Sequence, residues 1–213
     1  YISDCKTERE CTIASVEIAK AHGYRDIEEV IANNESLKPG DKVYANNRDK
    51  NIALFVIGQD LLENGMAILG AHIDSPRIDL KQVPLYEDTE IALLDTHYYG
   101  GIKKYQWVAT PLALHGVVVK KDGTSINVVI GEDENDPVFY ITDLLPHLGR
   151  EQGKTPLGQA FGGEILNMVI GCVPYMEDGK VAEGDAIKLN LMRMLNEKYG
   201  DKIIFGVTPP MLA

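Results

Sequence analysis

Cysteine is scarce in this chain, and so are the features that mark a membrane protein or a nucleic-acid binder. The three cysteines, Cys5, Cys11 and Cys172, form no C-x-x-C pair, and an odd number suits a reducing compartment better than a secreted disulfide scaffold. The cytoplasm is therefore the expected location. Lysine and arginine number 21 against 32 aspartates and glutamates, a formal net charge of −11. Neutralising phosphates needs a cationic excess, so no nucleic-acid partner is expected. No apolar run approaches the roughly 20 residues that span a bilayer, and no basic-then-apolar signal segment opens the chain, so no membrane association is expected. The first residue is Tyr1 rather than methionine, and N-terminal sequence is expected to be missing. What is present, 213 residues of which 45% are hydrophobic, can bury a real core as one large domain or two modest ones.

The first element is legible from its ends. Thr7-Glu8-Arg9-Glu10 has the form of a capping box, Cys11, Ala14, Ile18 and Ala21 follow at spacings of three and four, and Gly23 is a stop signal, which predicts an amphipathic helix. Lys38-Pro39-Gly40-Asp41 reads as a turn, followed by Val43-Tyr44. Two apolar runs, 52–57 and 66–71, have the consecutive rather than alternating pattern of strands buried on both faces of an α/β sheet. From about Val83 the texture changes to short β-like runs. They include a hairpin whose turn is Lys121-Asp122-Gly123-Thr124, between runs 112–119 and 126–130. The acidic stretch 131–137 does not fit the spacing of a calcium loop and reads as a solvated tip. Residues 142–150 are predicted as a short helix carrying His147, and 153–163 as a loop. Residues 185–199 are predicted as an amphipathic helix with Ile187, Leu191, Met194 and Leu195 inward and Gly200 at its end; an apolar run, Ile203-Ile204-Phe205, follows.

The chemistry concentrates where the second apolar run closes. In Gly70-Ala71-His72-Ile73-Asp74-Ser75-Pro76 an imidazole and a carboxylate lie two apart, so on a strand both leave the same side, at the carboxyl end where α/β sheets collect ligands. A neutral imidazole can hold a metal through one nitrogen while a carboxylate accepts the N–H of the other. A histidine hydrogen-bonded at a strand end is the competing structural reading. Other chemistries lack support: there is no G-x-S-x-G elbow, no cysteine at a helix start, and no phosphate-cradling loop around Gly100-Gly101. His97 and His115 read as structural residues, and His22 as a favourable cation at the end of the first helix.

The wording of the sequence then points to a family. Gly70-Ala71-His72-Ile73-Asp74-Ser75-Pro76, the stretch Asp95-Thr96-His97-Tyr98-Tyr99-Gly100-Gly101-Ile102-Lys103-Lys104-Tyr105-Gln106-Trp107, and Pro111-Leu112-Ala113-Leu114-His115-Gly116 together resemble the bacterial branch of the aminopeptidase I/aspartyl aminopeptidase family of zinc metallopeptidases. The likeness extends from Leu37-Lys38-Pro39-Gly40-Asp41-Lys42-Val43-Tyr44 to Ile141-Thr142-Asp143-Leu144-Leu145-Pro146-His147-Leu148.

The resemblance implies an α/β zinc-peptidase domain, a mixed sheet flanked by helices, interrupted by a β-rich dimerisation domain. On that reading 1–82 is the N-terminal part of the catalytic domain, 83–200 the insertion, and 201–213 the start of the return. It further implies self-association through the insertion into a homododecamer, peptide substrates cut at their N-termini by zinc-activated water, and about two zinc ions per complete site, with cobalt or manganese as alternatives. His72 would be a zinc ligand, Asp74 its supporting catalytic carboxylate, and His147 a zinc-site residue reaching a neighbouring subunit's centre. The family's bridging aspartate, glutamate pair, further carboxylate ligand and last histidine have no counterpart in this sequence. A chain ending at Ala213 is therefore expected to be inactive alone. Two rivals remain: a non-enzymatic truncated homologue acting in assembly, and a deacylase on the same metal scaffold.

Overall fold

A computed structural model describes residues 1–120 and 122–199, which separate into two compact units, one of residues 1–75 and one of the described residues from Pro76 onward. Lys121 of the hairpin turn, Gly200, the run Ile203-Ile204-Phe205 and the 201–213 segment lie outside the described residues.

In the first unit, helix α1 spans Glu8–Ala21 and carries the capping box: Thr7 Oγ1 accepts from the Glu10 amide at 3.3 Å, and Glu10 Oε2 accepts from the Thr7 amide at 2.8 Å. These satisfy two of the amides that a helix start leaves orphaned. Gly23, at φ +82°, turns the chain away after the helix. The buried face is Cys11, Thr12, Val16 and Ala19. Ile18 and Ala21, predicted inward, are exposed, because a small sheet covers only the narrow stripe on which Val16 and Ala19 meet Tyr44. That sheet has the order β1-β2-β3. Strand β1 is Arg25–Asp26, followed by helix α2, Ile27–Ala32. β2 (Lys42–Asn47) pairs parallel with β1 and antiparallel with β3 (Asn51–Val56). The predicted turn at 38–41 is present, closed by Asp41 N–H to the Lys38 carbonyl at 3.0 Å.

Residues 66–71 are not a strand. They run as irregular chain, with Ile68 79% and Leu69 101% exposed, and β3, predicted buried on both faces, exposes Leu54, Phe55 and Val56. An apolar run becomes a buried strand only where neighbours pair with its backbone and layers cover both its faces. Among the described residues the sheet stops at β3.

The second unit is built on a long antiparallel hairpin. β4 (Arg77–Asp88) pairs with β5 (Ile91–Tyr99), with an irregularity between Leu80 and Leu85, and β5 pairs in turn with β8 (Met168–Gly171). β4 runs unbroken across residues 82 and 83. Alternation along β5 buries Ala92, Leu94 and Thr96 on one face. The predicted hairpin is β6 (Leu114–Val119) with β7 (Ser125–Ile130), in register from Leu114↔Ile130 to Val119↔Ser125. Val128 and Ile130 join Leu85, Ala92, Leu94, Phe139, Ile141, Leu166, Met168 and Ile187 in one core.

Residues 142–150 form turns rather than a helix. Pro146 lacks an amide hydrogen and disfavours helical backbone at Leu145, which leaves only the local closures of Leu148 and Gly149 N–H onto the Leu145 carbonyl, both at 2.9 Å. Beyond them come a one-turn helix α3, Leu157–Ala160, and a two-stranded ribbon, β9 (Met176–Glu177) with β10 (Lys180–Val181). Helix α4, Ala186–Tyr199, packs Ile187, Leu191, Met192 and Leu195 on the core while Met194 stays exposed.

Candidate metal centre

The histidine and carboxylate of the His-x-Asp segment come together without a strand to carry them. His72 Nδ1 lies 3.0 Å from the main-chain carbonyl oxygen of Asp74 and 3.4 Å from its Oδ1. A carbonyl can only accept, so Nδ1 of the neutral ring carries the hydrogen and the ring's lone pair falls on Nε2. Tautomer and ring orientation are thus set first by the backbone two residues on, with the carboxylate beside it. The ring itself is 85% exposed. Such an imidazole is not locked into a core.

A catalytic zinc takes about three protein ligands. Among the described residues no three His, Cys, Asp or Glu side chains gather where they could hold an ion. Among the described residues this segment supplies one oriented imidazole, with a carbonyl and a carboxylate beside it.

His147 belongs to the second unit, where it sits exposed on the turn after Pro146 and makes no hydrogen bond or ion pair with a described residue. The other histidines are occupied locally. His22 Nδ1 lies 2.8 Å from the Ile18 carbonyl at the end of α1. The His115 ring, only 11% exposed, places Nε2 2.8 Å from Glu132 Oε1 and pins β6 to the acidic 131–137 stretch. His97 sits across from Asp79 on the β4–β5 ladder, with Nδ1 3.4 Å from the Tyr98 carbonyl.

One feature of that ladder escapes the motif reading. Arg77, Asp79 and Lys81 alternate on one face of β4 directly after the His-x-Asp segment. Arg77 Nε donates to Asp79 Oδ1 at 2.7 Å while its guanidinium lies 4.2 Å from the centre of the Tyr99 ring. Lys81 Nζ reaches Glu164 Oε2 at 2.8 Å and Asp95 Oδ1 at 3.2 Å, and these hydrogen bonds, to Glu164 first, push its pKa upward. The period-two spacing of 77, 79 and 81 is the sequence signal that could have found it.

Residues 1–204 match the family described as aminopeptidase I zinc metalloprotease (M18). A probable M18 family aminopeptidase 1 of Clostridium acetobutylicum is 58% identical over 199 residues, 93% of this chain and 42% of the relative. Its counterpart in Thermotoga maritima is 44% identical over 200 residues, again 42% of the relative. The chain thus spans less than half the length of these curated relatives. Among solved structures, aminopeptidase I from Clostridium acetobutylicum superposes with a TM-score of 0.83 at 53% identity, over 96% of this chain and 44% of that one. The M18 aminopeptidase of Thermotoga maritima gives 0.82 at 44% identity, over 93% and 42%. A Saccharomyces structure described as the mApe1 dodecamer shares the fold at TM-score 0.59 and 19% identity, over 96% and 43%.

Proposed function

Because this chain belongs to the M18 family of aminopeptidase I zinc metalloproteases, we propose that it forms part of an aminopeptidase that releases N-terminal residues from peptides. Zinc is the family's metal, and about two ions would complete one active centre. His72 would ligate through Nε2, Asp74 would hold the ring, and His147 would approach the centre of a neighbouring subunit. The observation that carries the reading is the His72 geometry: an exposed imidazole whose Nδ1 is already engaged by Asp74, leaving Nε2 to coordinate. Segment 1–82 would be catalytic-domain chain, and 83–200 an insertion through which subunits associate; the dodecamer named for the Saccharomyces relative supports a homododecamer. The cytoplasm is the proposed compartment, in keeping with free cysteines and with no helix among the described residues long and apolar enough to cross a membrane.

The test is to purify the product of the complete gene and measure zinc per chain together with amino-acid release from blocked and unblocked peptides. Chelator-sensitive release from free N-termini is expected, His72→Ala should bring it to background, and Asp74→Asn should cost about 10- to 100-fold in activity or zinc affinity. Release that ignores chelator, or that survives His72→Ala, would overturn the reading. The alternative is a non-enzymatic chain acting in assembly. Zinc-free protein that assembles but releases nothing would decide for it.

A further inference from the structure

The second unit holds a cavity of about 410 Å³ that plays no part in the reading above. It opens beside the stretch that ends at His147. Val108 and Phe161 contribute apolar surface, Gln152, Thr155 and Gln159 contribute amide and hydroxyl groups, and Asp143 is the one charged side chain among the described residues that line it. The volume lies at the small end of the range for ligand sites, about 300–1,000 Å³, and suits a single side chain with its adjoining backbone.

The carboxylate is held in advance of any ligand. Asp143 Oδ1 accepts from the Leu144 amide at 2.8 Å and from Gln152 Nε2 at 3.3 Å, while Oδ2 makes no hydrogen bond with a described residue. No lysine or arginine among the lining residues neutralises it. An anionic group entering here meets a like charge with no compensating cation. A purely apolar group would bury the free oxygen without a partner, which is costly. An ammonium or guanidinium on an aliphatic stem resolves both conflicts, since the stem lies along apolar wall while the head donates to Oδ2 and the neighbouring side-chain oxygens.

We propose that this cavity is a subsite for the basic side chain of a bound peptide, the lysine or arginine being recognised by Asp143. That the ligand is a peptide rests on the aminopeptidase reading; the charge selectivity rests on the cavity alone.

Titrating ¹⁵N-labelled chain, with chelator present, with N-acetyl-lysine methylamide and its norleucine and glutamate counterparts tests it directly. The Gln152 and Gln159 side-chain amides and the Leu144 backbone amide should shift with the lysine compound. Its affinity should exceed that for norleucine by about fivefold, the upper range for a solvent-accessible charge pair, with glutamate weakest. Asp143→Asn should make lysine and norleucine equal. Ala160→Leu fills the cavity without touching the carboxylate and should abolish binding, so it keeps the test decisive should the first variant misfold. Absence of shifts at these amides, a lysine preference that survives Asp143→Asn, or binding that persists in Ala160→Leu would overturn the proposal. Metal is excluded throughout, so failure of the aminopeptidase reading appears only in the zinc and turnover measurements and failure of the subsite only here.

Discussion

Arg25 and Glu35 show what one exposed pair contributes and when. Arg25 Nη1, on β1, donates at 2.6 Å to Oε2 of Glu35, just past the end of α2, and this bond, helped by Asn33, holds the Glu35 carboxyl below the usual carboxylate range. A carboxyl whose folded pKa is lowered binds fewer protons than its unfolded counterpart near that range. Its stabilisation is therefore present above about pH 4.3 and lost as pH falls through the lower folded value. Urea unfolding of the first unit should show this acid loss, and Glu35→Gln should lower the midpoint slightly at neutral pH while leaving it little changed in acid, so that the acid limb flattens; an unaltered acid limb would refute the assignment. At the same scale, Gly163 shows a constraint that the sequence conceals. A Cβ there would fall 2.6 Å from Cε1 of Tyr98, a ring stacked beneath Lys104 Nζ at 4.6 Å, so any side chain at 163 would have to displace that ring. Thr96 beside it is fully buried, with Oγ1 donating to the Leu166 carbonyl and its amide donating to Asn167 Oδ1.

Elements differ in how locally they are specified. Helix α1 starts where its own four residues say it should, because the cap and its reciprocal partner are three apart in sequence. Helix α4 has no acidic residue in its first turn, and its opening amides are satisfied from a distance: Ile187 N–H and Lys188 N–H both donate to Glu87 Oε2 on β4, at 3.0 and 2.9 Å. A carboxylate at a helix start also meets the positive end of the helix dipole. Glu87→Ala should accordingly destabilise the second unit by about 1 kcal/mol, with Glu87→Gln recovering part of it, as read from denaturant midpoints at equal slope. A loss near zero would mean that solvent caps α4 equally well.

At the scale of the whole molecule the two units carry different surfaces. The second encloses its own core, whereas the first presents Leu54, Phe55, Leu61, Leu62, Ile68 and Leu69 to solvent around a long irregular stretch that contains the His-x-Asp segment. Between β3 and β4 the only regular structure is a 3₁₀ turn at Leu62–Asn64. Brief chymotrypsin treatment should therefore cut first within 58–75 and release a resistant fragment beginning near Arg77, with the sites read by mass spectrometry. First cuts inside β4 or β5 would contradict that view.

The sequence by itself determined the family, the mixed α/β class, the cap of α1, the 112–130 hairpin and the pairing of His72 with Asp74, because each rests on residues close in the chain or on a long run of matching words. Tertiary structure alone decided which apolar runs find cover. The stretch 66–71 reads as a buried strand yet lies exposed, since burial depends on neighbours that a run cannot supply for itself. The same holds for the inward face of α1, the cap that Glu87 provides to α4 and the cavity around Asp143. In each, groups far apart in sequence are brought together or held apart by packing, a relation that local pattern does not encode.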